Sequence, residues 1–180
     1  LEVTGEVPLR LSPDGFERLL RAIISQQVSV VAANSIWNRL VKANLNGPRK
    51  IMNADDDDLR TVGLSRQKVR YARALAEARI NFQSLRSMST VEVVKKLTKV
   101  PGIGVWTAEI YAMFSLGRAD VFAAGDLALQ ESGRLLFELK DRPSEKKIRR
   151  MAESWSPWRA VAARLLWAYY SYKKNREGVG

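Results

Sequence analysis

The stretch KVPGIGVWTAEIYA, residues 99–112, decides the fold. Pro101 is followed by two glycines one residue apart, Gly102 and Gly104, and then by a run from Val105 that meets no breaker before Gly117. Glycine reaches φ > 0 freely and puts no Cβ between the backbone and whatever approaches it. With a helix expected to begin at once, the amides of Gly102, Gly104 and Val105 stand at the positive end of its dipole, which suits an anion. A tight helix-to-helix connection would use the same glycines, so the turn alone leaves both readings open.

Outward from the turn the chain reads as short helices. In FERLLRAIISQQ, residues 16–27, Phe16, Leu19, Leu20, Ile23 and Ile24 recur at helical spacing behind the start signal Pro13-Asp14-Gly15. Ser29 suits an N-cap for VVAANSIWNRLVKA, which Asn46-Gly47-Pro48 would close, and Ser65 suits one for RQKVRYARALAEARI. TVEVVKKLTKV is a short amphipathic helix ahead of the glycine turn, and Trp106 to Leu116 forms the helix behind it. Asp126 then opens LALQESGRLLFEL, Pro143-Ser144 opens EKKIRRMAESW, and Pro157 opens WRAVAARLLWAYYSYKK. Four consecutive acids, Asp55 to Asp58, read as the N-terminus of a helix, where the macrodipole favours them. Their side chains diverge on any regular backbone, which argues against a metal site. No alternating strand pattern and no long linker is present. The expectation is an all-α chain of two lobes, early helices and late helices, around a cleft.

Composition narrows the chemistry. At 180 residues the chain can bury a core without help from disulfides or metal. It has neither cysteine nor histidine, which removes thiolate nucleophiles, imidazole bases and the commonest zinc ligands. Thirty Lys and Arg against nineteen Asp and Glu leave a net charge of +11. Residues 1–60 balance at eight against eight, so the excess belongs to the last two thirds. A chain this basic, with no lipid-anchor motif and no long apolar run, favours nucleic acid over membrane, although a merely solvated basic surface would show the same balance. The opening LEVTGEVPLRLSPDG lacks an apolar targeting core, so a cytoplasmic, nucleoid-associated location is expected.

Five segments occur in an order that carries further: RAIISQQVSVVAA (21–33), GLSRQKVRYARALA (63–76), VPGIGVWTAEIYA (100–112), DVFAAGD (120–126) and WSPWRAVAARLLW (155–167). Together they resemble the helix-hairpin-helix DNA glycosylases, and among these the alkylation-repair branch, 3-methyladenine-DNA glycosylase II. The resemblance spans nearly the whole chain. It implies one glycosylase unit over residues 1–180, with its hairpin at about 95–117 and without the N-terminal β domain of some relatives. The implied activity is excision of alkylated purines such as 3-methyladenine from damaged double-stranded DNA, by a monomer acting in base excision repair.

The resemblance also implies roles for particular residues. Cleaving a glycosidic bond builds positive charge on the sugar, and Asp126 matches the family's catalytic aspartate, placed to stabilise that charge and direct water. The same residue, behind Gly125 and ahead of LALQ, is a good helix cap on ordinary grounds. A stacked base must be flipped out to react, and Gln27 matches the position from which relatives insert a wedge. Trp106 and Trp167 match base-pocket positions, where aromatic faces favour a cationic methylated purine. The carbonyls of Thr98, Val100 and Ile103 match those that hold a monovalent cation, Na+ or K+, in the hairpin; no other cofactor is required. Relatives that also cut the strand carry a lysine where this chain has Trp106, so no Schiff base is expected. Lys99 is expected to face phosphate. Ala123 and Ala124 stand where relatives often have proline, which implies a less rigid loop before Asp126. Glu109 and Asp120 read as solvated or structural, and Trp37, Trp155 and Trp158 as packing residues. Two other functions fit the same residues: a glycosylase for hypoxanthine or uracil, and a helix-hairpin-helix DNA-binding protein without catalysis.

Overall fold

The computed structural model describes residues 5–7 and 9–174. Eleven α-helices and one 3-10 turn make up its regular structure, with no strand among the described residues. In order these are α1 (Phe16–Ser25), α2 (Val30–Lys42), α3 (Pro48–Asn53), α4 (Asp56–Thr61), α5 (Arg66–Glu77), α6 (Phe82–Leu85), α7 (Thr90–Leu97), α8 (Val105–Phe114), α9 (Leu127–Leu136), α10 (Glu145–Met151), the turn Ala152–Trp155, and α11 (Arg159–Lys174). None of these helices is long and apolar enough to cross a membrane.

Local chemistry sets most of the starts. Ser29, Ser65, Asn81, Ser89, Asp126 and Ser144 each accept a hydrogen bond from a backbone amide two or three residues into the helix that follows. Such a cap is worth about 1 kcal/mol over alanine. Ser89 and Glu92 complete a reciprocal capping box. The acid run lies in the first turn of α4, as its charge requires, with Asp55 at the cap and Asp56 paired with Arg73 at 2.6 Å. Several boundaries differ from the sequence reading, among them those of α2 and α8. Helix α2 already ends at Lys42, where Asn44 turns the chain at φ 58, and Asn46-Gly47-Pro48 instead opens α3. Helix α8 ends at Phe114, ahead of Gly117.

The chain divides into two compact units: Pro13–Tyr111, and the residues through Ser12 together with those from Ala112 onward. In the first, α1 packs on α2 and α5, and α3 and α4 pack on α5, around Leu19, Leu20, Ile23, Leu40, Ile51, Leu59 and Leu75, all at most 1% exposed. In the second, α9 pairs with α11 and is crossed by α10. Gly133 allows that crossing, since a Cβ there would lie 2.6 Å from Ile148 Cδ1. Ser132 Oγ donates to the carbonyl of Leu166 at 2.7 Å, joining α9 to α11. Asp120 accepts from Arg159 at 2.5 and 2.8 Å and from Ser156 at 2.9 Å. These bonds hold its carboxyl well below the ordinary range, at about 2.

The tryptophans separate by environment. Trp155 packs edge-on against Phe122 and stacks with Phe137, and Trp37 is half-buried beneath the Arg21 guanidinium. Trp158, read from sequence as a packing residue, is instead 61% exposed. The chain leaves helical geometry between Trp155 and Arg159, so helical spacing does not carry across that gap.

Candidate nucleic-acid interface and catalytic carboxylate

The hairpin is α7, a short turn and α8. Val100 N–H donates to Leu97 O, and Ile103 N–H to Val100 O, each at 3.0 Å, before Ala108 N–H opens the α8 ladder on Gly104 O. Val100 and Ile103 point into the core, whereas Gly104, Val105 and Trp106 are exposed. The two glycines are there for different reasons. Gly102 adopts φ 90, and a Cβ there would lie 2.5 Å from Tyr71 Cγ, so its demands come from within the protein. Gly104 has no such φ, and a Cβ on it would meet nothing within 4 Å. The expectation of left-handed geometry therefore holds at Gly102 and not at Gly104. The amides of Gly104 and Val105 precede the first intrahelical bond and belong to the group that a helix N-terminus leaves for outside partners.

Helix α8 is apolar on nearly every side, with Ala108, Tyr111, Ala112 and Met113 fully buried. Its first turn is the exception. Trp106 is 40% exposed, so it is not a core residue, and Val105 beside it is also exposed. Glu109 is buried in the same helix, so it is not a solvated carboxylate. Lys99 is exposed on the other side of the glycine turn.

Gln27 sits between α1 and the Ser29 cap of α2 with a left-handed backbone, φ 57, and an exposed side chain. Val28, Val30 and Val31 around it are exposed as well. A non-glycine residue in that region is held there by its surroundings, and such positions concentrate at ligand-contacting sites.

Asp126 caps α9 and is 7% exposed. Its Oδ1 accepts from Leu129 N–H at 3.0 Å and from Trp167 Nε1–H at 3.1 Å, so two donors fix the plane of the carboxylate. Trp167 lies inside its unit, 5% exposed and stacked on Phe114 with ring centroids 5.7 Å apart. Read from the resemblance as a base-pocket residue, it exposes little of its ring and gives its indole N–H to Asp126. The loop before Asp126 is held without proline. Ala123 and Ala124 are fully buried, Asp126 N–H donates to Ala123 O at 2.9 Å, and Gln130 Nε2 donates to Ala124 O at 2.8 Å. Neither the Trp167 bond nor the Gln130 bond was read from the sequence. Gln130 stands four residues beyond a suspected cap, one helical turn away, which was the available hint.

The described residues contain no cluster of three or more acids that would hold a metal. The carbonyls of Thr98, Val100 and Ile103 are neutral donors, suited to a monovalent ion. Val100 O already accepts from Ile103 N–H and retains a second lone pair, so that carbonyl is not closed to such an ion. The hairpin, Trp106 and Gln27 belong to the Pro13–Tyr111 unit, and Asp126 and Trp167 to the other.

Comparison with known proteins adds to this geometry. Residues 20–157 match the model of the HhH-GPD superfamily base excision DNA repair proteins. DNA-3-methyladenine glycosylase 1 of Schizosaccharomyces pombe is 35% identical over 161 residues, covering 84% of this chain and 71% of that protein. The crystal structure of DNA-3-methyladenine glycosidase from Bacillus halodurans superposes with a TM-score of 0.85 at 35% identity, over 97% of this chain and 84% of that one. The 3-methyladenine DNA glycosylase of Schizosaccharomyces pombe in complex with abasic DNA superposes with a TM-score of 0.80 at 30% identity, over 96% and 88%.

Proposed function

This chain belongs to the HhH-GPD superfamily of base excision DNA repair proteins, and from that membership we propose that it is a monofunctional DNA glycosylase excising alkylated purines such as 3-methyladenine from duplex DNA. The observation that carries the reading is Asp126, a buried carboxylate oriented by Leu129 and Trp167 at the start of α9. The sugar develops oxocarbenium character as the base leaves, and a fixed carboxylate stabilises that charge without reorganising. The same group directs the water that completes hydrolysis. Backbone amides at Gly102, Gly104 and Val105 bind phosphate without regard to sequence. Gln27 fills the gap left by the flipped nucleotide, and Trp106 offers an aromatic face to the extruded base. Trp167 acts through Asp126. A monovalent ion on the carbonyls of Thr98, Val100 and Ile103 would add positive charge beside the phosphate. The protein works as a monomer on damaged double-stranded DNA.

The test is Asp126→Asn. Asparagine caps a helix as well as aspartate does, so the melting temperature and DNA affinity should hold. Base release, followed by chromatography from duplexes containing alkylated purine, hypoxanthine or uracil, should drop by about a hundred-fold or more. Turnover close to that of the unaltered protein would overturn the assignment, and no release from any duplex by the unaltered protein would favour a pure DNA binder. Trp106 has no amine, so borohydride should trap no adduct, and strand breaks should need alkali.

A further inference from the structure

Gln27 has a left-handed backbone, and the turn that carries it is tied to its surroundings on either side. Lys68 Nζ on α5 donates to the carbonyl of Ile24 at 2.6 Å, satisfying one of the last acceptors of α1. Tyr71, three residues further and so on the same face of α5, lies against Gly102 and leaves no room for a Cβ there. Its hydroxyl accepts from Gln67 Nε2 at 2.7 Å. The third tie is the most direct. Gln26 Nε2 donates to the carbonyl of Gly102 at 2.8 Å, across 76 residues of sequence. Gln26 itself is extended, at φ −62 and ψ 128, so its side chain turns inward to the hairpin while Gln27 next to it stands in solvent. The three ties close a ring within the Pro13–Tyr111 unit: end of α1, α5, hairpin, and back to the end of α1.

We propose that Gln26 is a positioning residue that fixes the Gln27 turn to the hairpin, so that the backbone gripping phosphate also sets where the wedge stands. The proposal rests on the reading of Gln27 as the wedge. Lys68 and Tyr71 seat the turn and the hairpin separately on α5, whereas Gln26 joins the two to each other. Two elements acting on one duplex must keep their separation while a base pair opens. A turn free to drift from the hairpin would have to be ordered again at each flipping event, at an entropic cost to the rate.

The experiment compares the unaltered protein with Gln26→Ala, Gln26→Met and Gln27→Ala in single-turnover excision. The substrates are one duplex with an alkylated purine opposite its pairing base and one with the same purine opposite a mismatch, where less unstacking is required. Both Gln26 variants should slow excision from the paired duplex about five-fold, the worth of one hydrogen bond, with a clearly smaller loss on the mismatched one. Gln27→Ala should shift the paired-to-mismatched ratio in the same direction. A merely structural Gln26 would lower both rates equally in step with the melting temperature. That result, or no loss at all, with Gln27→Ala still discriminating, overturns the role of Gln26 and leaves the wedge standing. A Gln27→Ala protein that fails to discriminate overturns the wedge, and the proposal falls with it. Methionine keeps the length of glutamine without its donor, so it decides the matter if the alanine variant does not fold.

Discussion

Replacing Trp167 by phenylalanine would leave an aromatic ring against Phe114 and delete the indole N–H that reaches Asp126 Oδ1. The loss in stability should be about 1 kcal/mol, as for one buried hydrogen bond. The loss in excision should exceed it, reaching about ten-fold, because the carboxylate then loses one of the donors that set its plane. Thermal unfolding and single-turnover excision measured on the same preparation separate the two effects. Excision falling no further than stability would remove the orienting role. Asp126 itself was legible as residue and as cap, since Gly125-Asp126 before an apolar periodic run is a local signal. The tryptophan was legible only as an aromatic residue on an apolar helix. Its partner lies 41 residues earlier, and no spacing rule reaches that far.

The hairpin and the helix starts are the parts where single changes separate structural from binding effects. Gly102→Ala places a Cβ at φ 90 against the Tyr71 ring and should cost about 1–3 kcal/mol of stability. Gly104→Ala adds a Cβ that meets nothing in the protein, so it should leave stability within about 0.5 kcal/mol and weaken binding to all duplexes alike. Calorimetry and a binding titration distinguish the pair; a Gly104→Ala protein that binds normally would mean that nothing approaches that glycine. The tie from Asp120 to Arg159 at the start of α11 has a pH signature. The carboxyl titrates near 2 when folded, below its usual 3.8, so its contribution is complete above about pH 4 and fades as pH falls towards 2. Asp120→Asn should therefore lower the melting temperature at neutral pH and leave it nearly unchanged near pH 2. Helices longer than two turns were legible because their periodicity and caps are local. The six-residue α3 buries only Ile51 and the four-residue α6 only Leu85, too little for a period to show.

At the scale of the whole molecule the governing quantity is charge. With a net +11 that lies beyond residue 60, DNA affinity should fall steeply with salt, with a log–log slope of roughly −0.9 for each phosphate neutralised. Binding that is flat from low to high salt would contradict a phosphate-gripping protein. What the sequence by itself determined was helical class, most helix starts, sign of charge, the chemistry excluded by the missing Cys and His, and, through five ordered motifs, the family. These follow from interactions within about one turn of chain or from sums over it. Only the tertiary structure decided that Trp167 donates to Asp126, that Tyr71 claims Gly102 while Gly104 stays open, that Trp158 faces out, and that Gln26 donates to the hairpin. A helical period fixes which face of a helix is apolar, but it carries no information about which other helix that face will meet, or at what rotation. Those two choices are made when the helices pack, and the partners of the site residues are settled with them.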